Sequence, residues 1–526
     1  MPTSTPDPPF RPIVDLLRAH AAGHGEQRAI VDAESSIGYA ELDRLVERIA
    51  ASLQRAGLAP GATIAICAAS SIRHAAVFLG ALRAGLAVAP LAPSVTPTAF
   101  RSMLADARAR ILFVDGAAAA VLEGGAIDVP LVALEAAAPG EVFDAWLAPA
   151  GARPEPVAVT PDMAFNIIYS SGTTGTPKGI VQPHGMRWTH VARAARYGYG
   201  PDGVTLLATP LYSNTTLVVF FPTLAFGGTL VLMPKFDAAA YLALAARERV
   251  THTMLVPVQY QRLMARADFG TYDLSSFQTK FCTSAPFGAA LKADVLARWP
   301  GGLVEFYGMT EGGGTCILEA HEHPSKLHTV GQPAEGHDLR LIDEEGRELP
   351  PGSTGEVVGH SAGMMTGYHG HPEKTAEAEW FDAGGKRFIR TGDVGRFDED
   401  GFLVLLDRRK DMIISGGFNI YPSDLEAVLR EHPAVADAAV AGVPSAEWGE
   451  TPAAWVVRRA GTDASDQTHA DTADAAESLR GWVNARVGKT QRLASLEFID
   501  ELPRSAIGKV LKRELRERWK PSRSPP

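Results

Sequence analysis

Residues 168–179 read Ile168-Tyr169-Ser170-Ser171-Gly172-Thr173-Thr174-Gly175-Thr176-Pro177-Lys178-Gly179. Glycines let backbone N–H groups turn toward an anion, the hydroxyl side chains add donors, and Lys178 adds a positive charge. Proline before Lys178 and glycine after it exclude the nucleotide triphosphatase loop, which needs Gly-Lys followed by Ser or Thr. The stretch therefore predicts a phosphate-binding loop behind an apolar strand. The alternative is a solvated Ser/Thr/Gly loop without a ligand.

Further motifs follow this loop in one fixed order. They are Tyr307-Gly308-Met309-Thr310-Glu311, Thr391-Gly392-Asp393, Asp407-Arg408-Arg409-Lys410 with the turn Gly416-Gly417-Phe418-Asn419 behind it, and Pro503-Arg504-Ser505-Ala506-Ile507-Gly508-Lys509. Together with the loop, the set resembles the adenylate-forming enzymes, which include acyl-CoA synthetases, aryl-CoA ligases, firefly-type luciferases and the adenylation domains of peptide synthetases. The resemblance covers nearly the whole chain, and several motifs in one order are far more specific than the loop alone.

Length and charge limit the classes of protein to consider. The chain has 526 residues, which exceeds one compact core and allows roughly three or four structural units. Hydrophobic residues make up 46% and charged residues 21% of the chain, as in soluble globular proteins. The formal net charge is -10, and no basic run occurs outside the extreme C-terminus, so nucleic acid is not expected as a partner.

The cysteines and the apolar segments predict a cytoplasmic protein. Cys67, Cys282 and Cys316 are far apart in sequence and lack metal-ligand spacing, which favours reduced thiols. Residues 1–9 have neither the basic nor the apolar region of a secretory signal. The most apolar window, Ala75 to Leu91, is short and contains an arginine, so it predicts a buried helix–loop–strand unit and no membrane span.

Hydrophobic periodicity predicts an α/β architecture. Short apolar runs at Thr63 to Cys67, Ile111 to Val114 and Leu131 to Leu134 alternate with stretches of helical spacing such as Glu41 to Ala56. This alternation implies largely parallel sheets that are covered on both faces. The resemblance adds that the large N-terminal domain contains two doubly wound sheets and a small β-rich subdomain, and that a small mobile α+β domain follows.

The resemblance to the adenylate-forming enzymes also predicts the domain boundaries. Residues 1–409 form the N-terminal adenylation domain, with the β-rich subdomain at about 335–409, where Gly/Pro-rich turns separate short strands. Residues 410–526 form the C-terminal domain. Within it, Gly461 to Glu477 is rich in Ala, Asp and Thr and predicts an exposed loop, and Trp519 to Pro526 predicts a frayed terminus.

The chemistry of acid activation identifies the expected catalytic residues. A carboxylate attacks the α-phosphorus of ATP, so the site must hold two anions together and stabilise the developing charge. The resemblance implies that Lys509 bridges the carboxylate and the α-phosphate, that Thr310 donates to that phosphate, and that Glu311 binds Mg²⁺ or supports a group that does. Without the resemblance, Lys509 followed by Lys512 and Arg513 would indicate a surface lysine.

The nucleotide site is predicted from the same motifs. Asp393 would accept hydrogen bonds from both ribose hydroxyls, and Arg408 would make a second ribose or phosphate contact. Tyr307 would lie against the adenine, with ordinary core packing as its alternative. The predicted ATP- or AMP-binding residues are Ser170, Ser171, Gly172, Thr173, Thr174, Gly175, Lys178, Ser284, Ala285, Pro286, Tyr307, Gly308, Met309, Thr310, Asp393, Arg408 and Lys509.

A hinge and a CoA channel are also implied by the resemblance. Lys410 matches the hinge position, about which the C-terminal domain rotates between two arrangements. One arrangement brings Lys509 to the reacting carboxylate. The other lines a pantetheine channel, for which the predicted residues are Ser415, Gly416, Gly417, Phe418 and Asn419.

Two positions bear on the acyl acceptor. Ile414 occupies the place where luciferases carry an additional lysine. This difference argues against a light-emitting reaction. No carrier-like serine motif follows Lys509, and the Gly-Gly-Phe-Asn-Ile-Tyr-Pro turn most resembles acyl- and aryl-CoA ligases. We therefore expect CoA as the acceptor. A free-standing adenylation enzyme that loads the phosphopantetheine of a carrier protein is the alternative.

The acid is predicted from residues 210–214 and from His184. The segment Pro210-Leu211-Tyr212-Ser213-Asn214 stands where many aryl- and acyl-CoA ligases carry Pro-Leu-Phe-His or Pro-Leu-Tyr-His, with Ser213 in place of the histidine. The predicted acyl pocket contains Tyr212, Ser213, Asn214 and His184, although a structural role for His184 fits equally well. No charge is evident in this pocket, which favours an uncharged aromatic or medium-chain aliphatic tail.

The sequence thus predicts a carboxylic acid–CoA ligase that converts acid, ATP and CoA to acyl-CoA, AMP and pyrophosphate, with Mg²⁺ as cofactor. A non-catalytic adenylate-binding protein is the remaining alternative. It is disfavoured because Lys178, Glu311, Asp393, Arg408 and Lys509 are all chemically competent. The sequence does not determine the oligomeric state, and a homodimer is compatible with it.

Overall fold

The computed structural model describes residues 9–123, 125–170, 178–415, 418–445, 448–459, 469–505 and 508–519. The chain divides into two compact units. The first unit contains Met1–Leu339 and Val358–Arg390, and the second contains Arg340–Val357 and Thr391–Pro526. The domain boundary predicted between residues 409 and 410 stays a prediction.

The helices of the described residues follow in chain order. They are α1 (Ile13–His24), α2 (Tyr39–Arg55), α3 (Ile72–Arg83), α4 (Pro97–Asp106), α5 (Ala119–Leu122), α6 (Phe143–Trp146), α7 (His184–Ala194), α8 (Asn214–Ala225), α9 (Ala238–Arg247), α10 (Pro257–Met264), α11 (Ala289–Arg298), α12 (Pro372–Glu377), α13 (Pro422–Glu431), α14 (His469–Asn484) and α15 (Lys512–Arg518). None of them is long and apolar enough to cross a membrane.

The strands of the described residues are β1 (Arg28–Val31), β2 (Ser36–Gly38), β3 (Thr63–Cys67), β4 (Ala87–Pro90), β5 (Leu112–Val114), β6 (Leu131–Ala133), β7 (Glu141–Val142), β8 (Ala164–Ser170), β9 (Lys178–Pro183), β10 (Val204–Leu207), β11 (Thr229–Leu232), β12 (His252–Leu255), β13 (Thr279–Cys282), β14 (Gly302–Tyr307), β15 (Cys316–Glu319), β16 (Gln332–Pro333), β17 (Asp338–Ile342), β18 (Gly355–His360), β19 (Gly367–Tyr368), β20 (Glu379–Phe381), β21 (Arg387–Phe397), β22 (Leu403–Arg408), β23 (Ile413–Ser415), β24 (Phe418–Ile420), β25 (Val435–Ser445), β26 (Gly449–Arg458) and β27 (Ser495–Phe498).

Two large sheets dominate the described part of the first unit. One has the order β16-β15-β14-β13-β12-β10-β11-β1-β2, and its strands are parallel from β14 through to β1. The other has the order β19-β9-β8-β4-β3-β5-β6-β7 and is parallel from β8 to β7. Helices connect the successive parallel strands, as crossovers of this kind commonly do, except between β6 and β7, which a short loop joins. The predicted α/β class with two parallel-containing sheets is confirmed.

Hydrophobic spacing explains how these sheets are covered. In α2, the buried side chains Leu42, Val46, Ile49 and Leu53 recur every three or four residues and form one apolar face. Every residue of β3 is buried, as expected for a strand that is covered on both faces. Buried residues of α1, α2, α3 and α8 join strands of both sheets in one hydrophobic cluster. The window from Ala75 to Leu91 is the predicted buried helix–loop–strand unit, α3 followed by β4.

The second unit contains a smaller sheet of the order β24-β23-β26-β25, with β27 parallel to β26. Alternate residues of β25 face opposite sides, so Ala438 and Val440 join one hydrophobic cluster and Ala439 and Ala441 join another. Helices α13 and α14 cover the first side, and α15 covers the second. This arrangement is the predicted α+β fold of the C-terminal region.

One loop prediction is wrong in part. The stretch from Gly461 to Glu477 was expected to be an exposed loop, but its described part from His469 onward belongs to α14. Alanine favours helix, and the helix gains tertiary support because Leu479 and Val483, one turn apart, are buried in the core of the second unit.

Candidate active site

The phosphate-binding motif is built on a β-hairpin of the first unit. Strands β8 and β9 are antiparallel, and Ser170 is the register partner of Lys178. The predicted loop residues Ser171, Gly172, Thr173, Thr174 and Gly175 lie outside the described residues. Strand β19 pairs with the other edge of β9, and it brings the ring of Tyr368 to 4.9 Å from Nζ of Lys178. A cation therefore lies over an aromatic face at the base of the predicted loop.

Tyr368 also fixes the predicted metal-binding residue. Its hydroxyl donates a 2.8 Å hydrogen bond to Oε1 of Glu311. The backbone of Glu311 is held as well, because its carbonyl accepts from the amide of Met365 at 2.8 Å. Gly312 adopts a φ of +76°, and a Cβ there would lie 2.0 Å from the carbonyl oxygen of Gly363. Only glycine fits at this position, and the close approach of the two chain segments keeps Glu311 beside Tyr368.

The Tyr307 to Glu311 motif follows directly on β14. Tyr307 is the last residue of the strand and is buried. Burial is compatible both with contact to adenine and with ordinary core packing. The carbonyl of Thr310 accepts a 2.7 Å hydrogen bond from Nε2 of Gln182 on β9. Thr310 is thus fixed by a residue of β9, the strand that carries Lys178. Glu311 is fixed by Tyr368 of the adjacent strand β19. Sequence reasoning did not identify Gln182 or Tyr368, because neither belongs to a spacing pattern.

The loop that contains the predicted nucleotide-binding residues Ser284, Ala285 and Pro286 follows β13 and begins at Thr283. The Thr283 hydroxyl donates to the carbonyl of Phe306 at 2.8 Å, which ties the loop to β14. Ser284 has a φ of +83°, an uncommon conformation for a residue with a side chain. Its hydroxyl lies 2.6 Å from the Thr215 hydroxyl on α8. The loop therefore reaches the first turn of the helix that begins at the predicted acyl pocket.

The predicted acyl-pocket residues have different surroundings. Ser213 caps α8, since its hydroxyl accepts from the amide of Thr215 at 3.3 Å, and Tyr212 is half-buried. His184 is buried and packs edge-to-face on Phe165 with 4.8 Å between ring centroids. Burial lowers the pKa of His184 to about 4, so its imidazole is neutral.

Asn214 joins a buried polar network that sequence reasoning missed. Its Oδ1 accepts from Nη2 of Arg187 at 3.0 Å and from Nε2 of Gln182 at 3.3 Å. Arg187 has none of its surface exposed, and burial lowers its pKa to about 9. The guanidinium remains charged at neutral pH. A charge therefore borders a predicted acyl-pocket residue, whereas the sequence had indicated none.

Asp393 and Arg408 form an ion pair within the second unit. They face each other in the register of β21 and β22, and Nε of Arg408 lies 3.0 Å from Oδ1 of Asp393. The backbone amide of Asp393 donates to the Thr391 hydroxyl at 3.0 Å. The two predicted ribose-contacting side chains are thus neighbours.

Lys509 lies in the same electrostatic environment. The amide of Ser505 donates to the Lys509 carbonyl at 2.8 Å, and Gly508 has a φ of +76°. Burial, helped by the positive charges of Arg408 and Lys410, lowers the pKa of Lys509 to about 8. An exposed surface lysine would show no such shift, so these surroundings differ from those of the surface alternative.

The predicted hinge and CoA channel are described only in part. Lys410 is exposed in a turn in which the amides of Asp411 and Met412 both donate to the carbonyl of Arg408 at 2.9 Å. Ser415 is buried at the end of β23 and is the register partner of Phe418 on β24. Asn419 also lies on β24. Gly416 and Gly417 lie outside the described residues.

The residues around Glu311 fit one mode of magnesium binding. Where the chain is described, no group of three or more His, Cys, Asp or Glu side chains is placed to hold a metal. Mg²⁺ does not need such a group, because it commonly binds through one or two carboxylates, water and the phosphates of a nucleotide. Glu311 is held by Tyr368 near Lys178, where phosphate oxygens are expected, and so suits that mode.

Family comparisons cover both parts of the chain. The sequence pattern of the AMP-binding enzyme family matches residues 17–369, and that of the AMP-binding enzyme C-terminal domain matches residues 424–509. The chain is 34% identical to feruloyl-CoA synthase from Amycolatopsis sp, over 96% of this chain and 98% of that protein. It is 32% identical to the fatty acid–[acyl-carrier-protein] ligase ScoC from Streptomyces coeruleorubidus, over 97% of both proteins. It is 33% identical to indoleacetate–CoA ligase from Aromatoleum aromaticum, over 96% of this chain and 97% of that one.

A solved structure supports the same grouping. The amide bond synthetase McbA from Marinactinospora thermotolerans superposes with a TM-score of 0.83 at 31% sequence identity. The match covers 97% of this chain and 100% of that one. Similarity therefore extends over both compact units.

Proposed function

We propose, from the premise that the chain belongs to the AMP-binding enzyme family, that it activates an aromatic or medium-chain carboxylic acid and transfers the acyl group to CoA. The reaction class is that of an acid–CoA ligase acting through an acyl-adenylate, as for its relatives that form feruloyl-CoA and indoleacetyl-CoA. ATP supplies the adenylate. The acid and the roles of the individual residues are the proposed parts.

The observation that carries the proposal is the arrangement of Lys178, Tyr368 and Glu311. A lysine and a carboxylate, both contacted by one tyrosine, lie at the base of the predicted phosphate loop. Lys178 supplies positive charge to the phosphates. Glu311 binds Mg²⁺, which, when bound, neutralises phosphate charge and orients the nucleotide.

Adenylation then requires the carboxylate to attack the α-phosphorus while pyrophosphate leaves. Two anions approach each other in this step, and each fixed cation or N–H donor lowers the barrier. We assign the bridging cation to Lys509 and a further donor to Thr310. Asp393 accepts from the ribose hydroxyls, and its ion pair with Arg408 holds the carboxylate in place.

In the second half-reaction, the CoA thiol attacks the acyl carbon and AMP leaves. The segment from Ser415 to Asn419 is proposed to line the pantetheine channel, and the exposed turn at Lys410 is the proposed hinge. Cytoplasmic location is proposed as well, and the three cysteines support it, because all are free thiols.

Transfer to a carrier protein is the second candidate. It is favoured by one specific finding, the 32% identity to the fatty acid–[acyl-carrier-protein] ligase ScoC over nearly the whole chain. The two candidates share the adenylation step and differ only in the thiol that accepts the acyl group.

One assay separates these candidates. Pyrophosphate release is followed with ATP, Mg²⁺ and a panel of aliphatic, benzoic and cinnamic acids, each with and without CoA. Sustained CoA-dependent turnover with one class of acid supports the ligase. A single CoA-independent burst that continues only when a phosphopantetheinylated carrier protein is added supports the second candidate. Absence of pyrophosphate with every acid contradicts both.

A further inference from the structure

A group of basic side chains in the first unit has no role in the adenylation steps described above. Arg187, His190 and Arg193 recur every three residues along α7 and therefore share one face of the helix. His337, which precedes β17, belongs to the same group because its protonated form would act on the pKa of His190, but burial lowers the pKa of His337 to about 4 and its ring is neutral at neutral pH. We call these four residues the basic cluster. Arg187 and Arg193 have no carboxylate within ion-pair distance among the described residues.

Arg187 is an interior cation that lacks a counter-anion. Its Nη2 contacts three amide oxygens, those of Asn166 at 3.1 Å, Asn214 at 3.0 Å and Gln182. Its Nη1 lies 3.3 Å from Nδ1 of His190. Its Nε is buried and has no hydrogen-bond partner. All of these partners are neutral, and an unpaired buried charge is energetically costly. A guanidinium can donate five hydrogen bonds, so Arg187 has unused donor capacity.

His190 and Arg193 continue the cluster along the helix. Burial and the charges of Arg187 and Arg193 lower the pKa of His190 well below its usual value, so the ring is neutral. Because Nδ1 of His190 accepts from Arg187, the ring proton lies on Nε2, which becomes a donor. Arg193 is half-buried, and its guanidinium lies 5.8 Å from the ring centroid of Phe306. The face thus offers donors and positive charge without an acceptor to match.

The position of the cluster connects it with the acid. Gln182 contacts both Arg187 and the carbonyl of Thr310. A single side chain therefore separates the basic cluster from the motif that contains Thr310 and Glu311. Asn214, the neighbour of Ser213 in the predicted acyl pocket, is another contact of Arg187. From Arg187 to Arg193 the helix rises about 9 Å, which corresponds to an aromatic ring or a short aliphatic spacer.

We propose that the basic cluster binds a second carboxylate, carried at the far end of the acid substrate. The guanidinium of Arg193 and the Nε2–H of His190 hold this carboxylate, and Arg187 adds positive charge from the interior. The inference rests on the proposed acid–CoA ligase activity and replaces the expected uncharged tail by a dicarboxylic acid. A fork-shaped guanidinium suits a carboxylate because it can donate two parallel hydrogen bonds.

The test compares matched acids that differ only in the second carboxylate. Octanoate is paired with octanedioate, and phenylpropanoate with its para-carboxylated form. AMP release with CoA gives kcat/KM for each acid with the full-length wild-type protein and with Arg193→Gln. The control variant is Arg196→Gln, because Arg196 lies just beyond α7, is exposed and forms a 3.0 Å ion pair with Glu319.

The proposal predicts that the wild-type protein prefers the dicarboxylic member of at least one pair by about 10-fold or more, as for a hydrogen bond to a charged group. Arg193→Gln removes that preference through a higher KM for the diacid, Arg193→Lys keeps part of it, and Arg196→Gln leaves it unchanged. Preference for the monoacids, or equal losses for both members of a pair in Arg193→Gln, overturns the second-carboxylate site but leaves the ligase intact. Absence of CoA-dependent AMP release with every acid overturns the ligase and the inference together.

Discussion

The hydroxyl of Tyr368 donates a 2.8 Å hydrogen bond to Oε1 of Glu311, and the ring of the same tyrosine lies 4.9 Å from Nζ of Lys178. One side chain thus contacts both the acidic and the basic group that are proposed to handle the phosphates of ATP. Burial and the charge of Glu311 raise the pKa of Tyr368, so the phenol stays protonated and remains a donor. Tyr368 is therefore a positioning residue.

Tyr368→Phe should impair the use of magnesium. The variant loses one hydrogen bond to a charged group, which corresponds to about 1.5–3 kcal/mol and thus to about a 10- to 100-fold loss in pyrophosphate release at limiting Mg²⁺. The measurement is the Mg²⁺ dependence of adenylation, with Tyr272→Phe as control, because Tyr272 donates to Asp268 at 3.3 Å elsewhere in the same unit. An unchanged Mg²⁺ dependence in Tyr368→Phe would contradict the positioning role.

The rate of adenylation should fall as pH rises through about 8, the lowered pKa of Lys509. Below that pH, Lys509 is an ammonium ion and can bridge two anions. Above it, the amine is neutral and the bridge loses its charge. The measurement is the pH profile of pyrophosphate release at saturating ATP. Lys509→Arg retains its charge at every accessible pH, so any residual activity in this variant should lack the alkaline decline. A decline shared by both proteins would assign the titration to another group.

Removal of the Lys509 ammonium should separate the two half-reactions. Lys509→Ala is expected to suppress acyl-adenylate formation and to spare thioester formation from a pre-made acyl-adenylate, because the second step needs no cation between two anions. Rapid mixing of the chemically prepared adenylate with CoA measures that step directly. Loss of thioester formation from the adenylate would remove the proposed role of Lys509.

Lys410→Pro should have the opposite effect. Proline fixes φ and removes flexibility from the exposed turn that follows β22, so the change of arrangement between the half-reactions should be blocked. Adenylate formation should remain measurable while thioester formation is crippled. Lys410→Ala is the control, since it removes the charge and keeps the backbone free. Equal losses in both steps of the proline variant would argue against a hinge at this position.

Lys292 and Glu305 form a buried ion pair in the first unit, on α11 and β14. Nζ of Lys292 also donates to the carbonyls of Leu327 and Thr329, both at 2.9 Å. Lys292→Met would leave Glu305 as an uncompensated buried charge and should lower the free energy of unfolding by about 3–5 kcal/mol. Urea unfolding measures this loss, and the double variant with Glu305→Gln should recover part of it.

The matched control lies on the same helix. Arg298 pairs with Asp294 at 3.0 Å near the surface of α11 and also donates to the carbonyl of Met264 at 2.9 Å. Arg298→Met should cost about 1–2 kcal/mol, because an exposed ion pair contributes little and one hydrogen bond contributes about 1 kcal/mol. Similar losses in Lys292→Met and Arg298→Met would show that the buried pair adds nothing beyond a surface contact.

Local patterns allowed much of the fold to be predicted from the sequence. The apolar run from Thr63 to Cys67 forms a fully buried strand, and the phosphate motif begins and ends on the paired strands β8 and β9. The helix at His469–Asn484 was missed because its polar first turns carry no apolar periodicity. The helix is stabilised by the burial of Leu479 and Val483 in the core of the second unit, which the local sequence pattern does not indicate.

The candidate site divides in the same way. Glu311 and Lys178 belong to motifs and could be named in advance, whereas Tyr368 and Arg187 could not. The contact of Tyr368 with Glu311 spans 57 positions, and that of Arg187 with Asn214 spans 27. No short-range spacing predicts such contacts, since they arise only when the sheet and the helices pack together.

The central claim, activation of a carboxylic acid as an acyl-adenylate, is tested most directly by following the carboxylate oxygens. The best acid from the panel is prepared with isotopically labelled carboxylate oxygens and converted with ATP and CoA, and the AMP is examined by mass spectrometry. Attack of the carboxylate on the α-phosphorus predicts one labelled oxygen in each AMP released. Unlabelled AMP formed during full conversion to the thioester would contradict an acyl-adenylate and with it the proposed mechanism.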